Sequence, residues 1–568
     1  MTSVYECDNN NISENEEHLN FMAGVSYFPK DPILELKLVL LSSFLGEQKY
    51  YNPTTDKDIN FDNDMLKNLK DHLLFPENGL KSSQRIFYET VNKALDHDFE
   101  KTLELAQKAR TEFYMRKGPA ELIAIAACNP NRISFNEKNP NKFRNIVLKT
   151  CILPTDMKSI LDSWKSLKGS KSGFPSFLKR AFSDKLSKSK DYHLEKYRPI
   201  DMVRISHPVK NQITNSLKEL MENGKVKVDE KDTKWETLKS QGKNWVETLE
   251  ALEWKMPHMA ALRNIRGFAN SVRNEELIEK YCKMLEDGVI GGKQFPFRYI
   301  TAYKEIKYTS SPKNISKNKD KKYFPKPIRK RDVVIIEKYL EKCINKAIEN
   351  HPKLEGDVIV LSDNSGSAWG TFTSSYGTQT VAEIGNLSAL ITALSCTGRG
   401  VIGLFGDELF EYEVDKEISL LKNLEKINEI IGPKGNNVGL STENGIWLFF
   451  KRAFENNLKY KYDHFFCYSD MQAGHGGLYG SDTKIKENDW LWNGKKSGYL
   501  YINVPKLLEN YRKTINKKLN TFMIQTAGYN DSILPQSTYR GAILSGWTGN
   551  EVVYADQIIK LWDQIENI

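Results

Sequence analysis

Between residues 31 and 350 apolar positions recur three and four apart, and strict alternation never runs far enough to suggest a strand. Leu105, Ala109 and Phe113 stand one turn apart within 98–115, and Ile336, Tyr339, Leu340, Cys343, Ile344, Ala347 and Ile348 draw one stripe along 332–349. Side chains at that spacing share a helix face, and such a stripe is read as core. Further helices are predicted near 84–96, 119–128, 142–151, 155–167, 174–188, 212–222, 256–270 and 274–285. Their breaks carry Lys117-Gly118-Pro119, Asn129-Pro130, Pro154-Thr155-Asp156 and His207-Pro208. Serial helices over this length predict a stacked helical array, although no clean repeat is visible; a compact bundle is the alternative. Residues 1–30 are polar and read as a poorly ordered tail.

The texture changes at Gly356. Strands are predicted at 357–361, 400–405, 463–468 and 521–526, alternating with helices at 380–395, 417–430, 443–457, 504–517 and 551–566. That order predicts a doubly wound α/β domain over 356–568, following a helical module over 31–355. The stretch 304–331, just ahead of the change, is basic and rich in Ser, Asn and Pro, and reads as a surface loop.

The candidate chemistry sits at the first strand of the second half. Asp357-Val358-Ile359-Val360-Leu361 runs into Ser362-Asp363-Asn364-Ser365-Gly366-Ser367. An α/β sheet gathers its ligands at the carboxyl ends of its strands. Asp363, Ser365 and Ser367, on alternate residues there, make a fan of hard oxygens suited to Mg²⁺ or Mn²⁺. The alternative is a Ser-rich turn that only caps the next helix. His464-Phe465-Phe466-Cys467-Tyr468-Ser469-Asp470 repeats the strand-then-carboxylate layout, so Asp470 is a second candidate. Thr442, just before a predicted helix, is either a third candidate or an ordinary N-cap. Asn436, earlier in the same loop, offers an amide oxygen. His475, in the Gly-rich loop past Asp470, has no companion at ligand spacing and reads as a loop residue.

Charge adds a second kind of candidate. Residues 165–190 carry eight Lys or Arg against Asp184 alone, and 304–331 carry eleven against Glu305 and Asp320. The two windows exceed the chain's whole net charge of +9, so the remainder is acidic. Charge runs often only solvate a face, but two in an otherwise acidic chain point to a polyanion, most simply nucleic acid. Within 179–190 only Phe182 lies between basic residues; Phe174, Phe177, Tyr192 and Tyr197 stand at the margins. This favours duplex or backbone contact over base stacking. There is no run of about 18 apolar residues to span a membrane, and the acidic N-terminus does not read as a signal peptide. Seven scattered cysteines with no Cys-x-x-Cys pair suggest neither a disulfide framework nor a zinc site, and a cytoplasmic location is expected.

The turn at Asp363-x-Ser365-x-Ser367, with Asp470 after a later strand, resembles the metal-ion-dependent adhesion site of a von Willebrand factor A domain. The helical half resembles the TROVE module of Ro autoantigen proteins. Its matching stretches are Arg116-Lys117-Gly118-Pro119, Ile152-Leu153-Pro154-Thr155-Asp156, Lys196-Tyr197-Arg198 and Asp201-Met202-Val203-Arg204-Ile205-Ser206-His207-Pro208. They continue with His258-Met259-Ala260-Ala261-Leu262-Arg263-Asn264-Ile265-Arg266 and Pro296-Phe297-Arg298-Tyr299-Ile300-Thr301-Ala302-Tyr303. Each is weak alone; their order ahead of an A domain, over roughly residues 80–540, is specific.

The resemblance implies a monomeric ring of HEAT-like helical repeats whose ends the A domain joins. It implies Y-like RNA on an outer basic surface and single-stranded ends of misfolded RNA in a central hole. The outer surface would hold Lys179, Arg180, Lys185, Lys188, Lys190, Lys196, Arg198, Arg204 and His207, with 183–195 carried over only as a surface. Arg263 and Arg266, three apart on one helix, would line the hole. The resemblance favours Thr442, followed by Glu443, over Asn436 as the third metal loop. Residues 368–379 and 474–500 lengthen the loops beside the site and depart from the family pattern. Three function classes follow: an RNA chaperone or scaffold, a metal-dependent module that captures a partner's carboxylate, and an RNA-processing enzyme. The last needs a nucleophile, a base and a charge stabiliser together. With no second metal cluster in the sequence, no enzymatic activity is expected.

Overall fold

The computed structural model describes residues 31–42, 82–169, 173–227, 234–292, 294, 296–310, 328–370, 380–440, 444–469, 499–502, 504–526, 539–544 and 550–566, with short strands at 12–13, 28–29 and 492–496. From residue 31 to 350 the described residues form a series of helices. Helices α1 (Pro32–Leu41), α2 (Ser82–His97), α3 (Phe99–Thr111), α4 (Lys117–Cys128), α5 (Arg132–Lys138), α6 (Lys142–Thr150), α7 (Pro154–Lys168) and α8 (Ser176–Ser187) come first. They are followed by α9 (Asp191–Tyr197), α10 (Ile200–Ser206), α11 (Asn215–Asn223), α12 (Trp235–Ser240), α13 (Trp245–Ala251) and α14 (His258–Val272). The series ends in α15 (Glu275–Asp287), α16 (Val289–Gly292), α17 (Pro296–Ser310) and α18 (Lys330–Glu349). Polar caps set many of the starts: Asp98, Thr214, Asn244 and Asn274 each accept a backbone N–H of the following turn.

Helices pack on near neighbours in sequence, α4 on α7, α6 on α8, α15 on α18 and α17 on α18, as a stacked array requires. One element expected as a loop is helical: α17 runs to Ser310, so the predicted basic loop 304–331 begins inside it and ends at the start of α18. Residues 311–327 lie outside the described residues.

The polar letters of the ordered motifs are packing partners. Asp156 is buried at the start of α7, where its Oδ2 accepts the N–H of Ile152 at 2.9 Å and of Leu153 at 2.8 Å. The same oxygen accepts from Arg110 Nη2 of α3 at 3.1 Å, so one carboxylate caps one helix and ties it to another. His258, opening α14, bonds through Nε2 to the Tyr299 hydroxyl of α17 at 2.6 Å. Gly292 lies so close beneath that imidazole that an added Cβ would stand 2.5 Å from the ring.

The second half is a six-stranded sheet with helices on both faces. Its strands are β1 (Val358–Asp363), β2 (Gly400–Phe405), β3 (Leu409–Glu413), β4 (His464–Ser469), β5 (Asn520–Gln525) and β6 (Gly541–Leu544), in spatial order β6-β5-β4-β1-β2-β3. Every pairing is parallel except β2 with β3. The sequence reading missed β3 and β6. Strand β3 is an edge strand with only Leu409 buried, and β6 is only four residues long. Helices α20 (Val381–Leu394), α21 (Leu420–Ile431) and α24 (Glu551–Glu566) belong to the face reached by Val358, Val360, Phe466 and Phe522. Helices α22 (Gly445–Glu455) and α23 (Val504–Thr514) belong to the opposite face, with Ile359, Leu361, Phe465 and Met523. Period-two alternation therefore supplies two cores from one sheet.

The α/β half covers both ends of the helical series. At one end α17 packs on α20 and α18 on α21, with Lys304 Nζ donating to Glu383 Oε1 at 3.3 Å across the junction. At the other, α1 packs on α24.

Two outcomes test this packing. Asp156→Ala leaves a buried guanidinium and two N–H groups unpaired, and unfolding in urea is expected to show a loss of about 3 kcal/mol or more. Burial pushes His258 and His351 down to about 4, so both stay neutral in the folded chain while the unfolded chain takes up protons near 6.5. Stability should therefore fall as pH drops from about 6.5 toward 4, and His258→Gln should make that segment of the stability profile shallower.

Candidate functional site

The order of strands reverses at β1. Its chain neighbour β2 lies on one side and β4 on the other, so the carboxyl ends of β1 and β4 flank a topological switch point, where open α/β sheets bind ligands. Asp363 closes β1 there and is 3 % exposed. Its Oδ1 accepts the Ser365 N–H at 2.8 Å, and its Oδ2 accepts the Ser469 hydroxyl, from the end of β4, at 2.9 Å. The hydroxyls of Ser365 and Ser367 lie 3.1 Å apart, Ser367 on the short helix α19 (Gly366–Gly370) in chain order before α20.

The turn is fixed from three sides. The Asn364 N–H donates to the Phe405 carbonyl at the end of β2 (2.7 Å), and the Gly366 N–H to the Leu440 carbonyl (2.9 Å). From below, Asn364 and Asn386 exchange reciprocal amide bonds of 3.0 and 2.8 Å, and Ser362 donates to Asn386 Oδ1 at 2.7 Å. These three side chains are at most 1 % exposed, so the network lies in a low-dielectric core where each missing bond would be costly. Gly435, at φ +77°, approaches Trp369 and the Asn364 carbonyl so closely that no side chain would fit.

Sequence reasoning placed Asp363, Ser365 and Ser367 together, and the structure does bring them together. Thr442, Asp470 and His475 lie outside the described residues. Asn436 is exposed, in the turn that follows Pro433–Gly435. Three contributors were missed. Ser469 binds Asp363 directly, although only its neighbour Asp470 drew attention. Asn386 stands among apolar residues in Val381–Leu394, and that lone amide was the available signal. Leu440 accepts the Gly366 N–H through its backbone carbonyl, which no side-chain pattern announces.

Among the described residues no three His, Cys, Asp or Glu side chains gather as a metal cluster. The donors in the turn are instead one buried carboxylate and two hydroxyls. Adjacent ligands of an octahedral Mg²⁺ at about 2.0–2.1 Å stand about 2.9 Å apart, and the 3.1 Å between the serine oxygens fits that bite.

The basic candidates fall on α8, α9 and α10. Arg180, Lys188, Lys190, Lys196, Arg198, Arg204 and His207 are exposed, and Lys179 and Lys185 partly so. Asp184, the acid within the first basic window, is held by Arg144 of α6 (Nε at 2.9 Å) and by Gln212 Nε2 at 2.7 Å, so it does little to offset this face. Arg198 is held by Glu195 at 2.9 Å. On α14 Arg263 is exposed, whereas Arg266 pairs with Glu305 of α17; the two do not form a matched pair. Phe174 packs on Trp164 and Phe182, and Phe177 on Phe143, which makes both of them core.

No protein-family model matches the chain, and no curated protein does. Among solved structures, the crystal structure of the Ro (RSR) protein of Deinococcus radiodurans is similar over 92 % of this chain and 100 % of that one, with a TM-score of 0.59 and 12 % identity. The chain has the fold of a Ro protein. The resemblance drawn from the ordered motifs thus holds at the level of fold, despite so low an identity. Within those motifs Asp156, His258 and Tyr299 each join two helices.

Asn386→Ala would strip Asn364 and Ser362 of their shared partner. We expect a loss of about 1–3 kcal/mol in denaturant unfolding, because buried polar groups are then left unsatisfied.

Proposed function

We propose that this chain is an RNA-binding protein of the Ro type, a chaperone or scaffold in a ribonucleoprotein. In this reading a Y-like RNA binds the face of α8 to α10, and single-stranded ends of misfolded RNA enter a cavity near Arg263 and Arg266. The observation that carries it is the exposed cationic face itself, the one acid of whose 165–190 window, Asp184, is already held by Arg144 and Gln212. Lysine and arginine neutralise phosphates and release counterions, so affinity should fall steeply with salt. RNA is expected to copurify with the wild-type protein, and Lys185→Glu, Lys188→Glu and Lys190→Glu together should remove it. Retention of RNA by that triple variant, seen on a gel of extracted nucleic acid, would sink the assigned surface. We further read the protein as monomeric and cytoplasmic; no described helix is long and apolar enough to cross a membrane.

A second reading concerns the α/β half, which we take to be a von Willebrand factor A-like domain with an adhesion-type metal turn. The 3.1 Å hydroxyl pair beside a buried carboxylate favours it. Asp363, Ser365 and Ser367 would hold Mg²⁺ or Mn²⁺, with Thr442 and Asp470 from two further loops. The cation would offer an open position to a carboxylate of a protein partner. Asp363→Ala should abolish the calorimetric signal of Mg²⁺ or Mn²⁺ binding while leaving RNA binding unchanged. Docking rather than turnover is the role proposed, and no RNA cleavage is expected from metal-loaded protein.

A further inference from the structure

Helix α9 and the start of α12 build a surface that the basic windows do not account for. The rings of Tyr192 and His193 lie 5.1 Å apart between centroids, and those of His193 and Tyr197 6.1 Å. All three are partly exposed. Lys234, which precedes α12, holds its ammonium 4.0 Å above the Tyr192 ring. The Lys196 ammonium stands 5.8 Å from that ring and 5.5 Å from Tyr197. Glu195, in the middle of the helix, accepts the Val226 N–H at 2.7 Å and Arg198 at 2.9 Å, which holds its carboxylate below the usual range. Both of its oxygens are thus taken, although its charge still attracts Lys234. Burial first, then Lys190, Lys185, Lys196 and Lys234, keeps His193 below its ordinary value, so its ring is neutral at pH 7 and sits in positive potential.

We propose that this cluster of aromatic rings and lysines takes an unpaired RNA nucleotide, its base stacked on Tyr192 or Tyr197 and its phosphate held by Lys196 and Lys234. It rests on the RNA-binding reading above and names the form of RNA that reads this part of the face. A duplex has its bases stacked on one another and offers no free ring to a tyrosine, whereas a single strand does. An ammonium over an exposed ring is held more weakly than a stacked base. An incoming base can therefore displace the lysine, whose flexible stem carries its charge to the adjacent phosphate. The two groups exchange partners without loss of either interaction. This departs from the expectation of duplex or backbone contact, which left Tyr192 and Tyr197 at the margins of the basic window.

The test compares a fluorescent oligouridine single strand with a fluorescent RNA duplex of equal length, by anisotropy, at several salt concentrations. Tyr192→Ala with Tyr197→Ala should weaken the single strand about tenfold and leave the duplex unchanged. The slope of affinity against salt should not move, since no phosphate contact is removed. Tyr192→Phe with Tyr197→Phe keeps the rings and should bind as wild type does. Equal binding of the single strand by the alanine variant, or equal weakening of both RNAs, overturns the proposal and leaves the RNA-binding reading intact. Binding of neither RNA by the wild-type protein overturns both. Should the alanine variant fail to fold, oligouridine bearing 4-thiouridine, irradiated on the wild-type protein, should cross-link to peptides containing Tyr192 or Tyr197. Cross-links confined to other peptides overturn the proposal.

Discussion

A stack of helices that bury their faces only on neighbours leaves an unsatisfied apolar surface at each end. Here one α/β unit covers both. Helices α17 and α18 lean on α20 and α21 at one end, and α1 lies on α24 at the other. The buried core consequently runs without a break from Leu36 on α1 to Trp562 on α24. Neither half has a natural boundary at which it could be cut without wetting an apolar face. The α/β unit is thus a structural closure as well as a candidate site, and its position sets where every helix of the series can sit.

The same junction approaches the Asp363 turn. Arg266 of α14 pairs with Glu305 of α17, and the adjacent Lys304 pairs with Glu383 in the first turn of α20. Glu383 also completes the capping box with Thr380, and three residues on Asn386 clasps Asn364. A short series of polar contacts therefore runs from the helix carrying Arg263 to the residue beside Asp363. The buried amides matter because a turn that presents three oxygens in one direction has few backbone bonds of its own. Its rigidity comes from β2, from Leu440 and from α20.

How much of this could be read from the residues depended on how local the cause was. The stripe along α18 and the apolar run of β1 announce themselves, since burial on one face or both leaves a periodic trace. Asp363, Ser365 and Ser367 were legible because strand, turn and hard oxygens are contiguous. The edge strand β3 and the short β6 were not: their pairing comes from β2 and β5, which the local pattern does not reveal. Asn386 carries no motif, and only its reach across to Asn364 gives it meaning. Lys234 lies 42 residues from Tyr192 in sequence yet sits over its ring, a pairing that no local window reveals. Charge misleads once: the basic run that begins at Lys304 reads as loop, yet Lys304 and Lys307 stand on α17, where lysine is an ordinary helix former.

The contact between α1 and α24 joins segments more than 500 residues apart. On the ribosome α1 emerges before α24, and its contact with that helix must wait until more than 500 further residues have been synthesised. Closure is therefore a docking of two preformed surfaces, of the kind that forms late because of its high contact order. During that interval the helical series is a nascent chain with one open end.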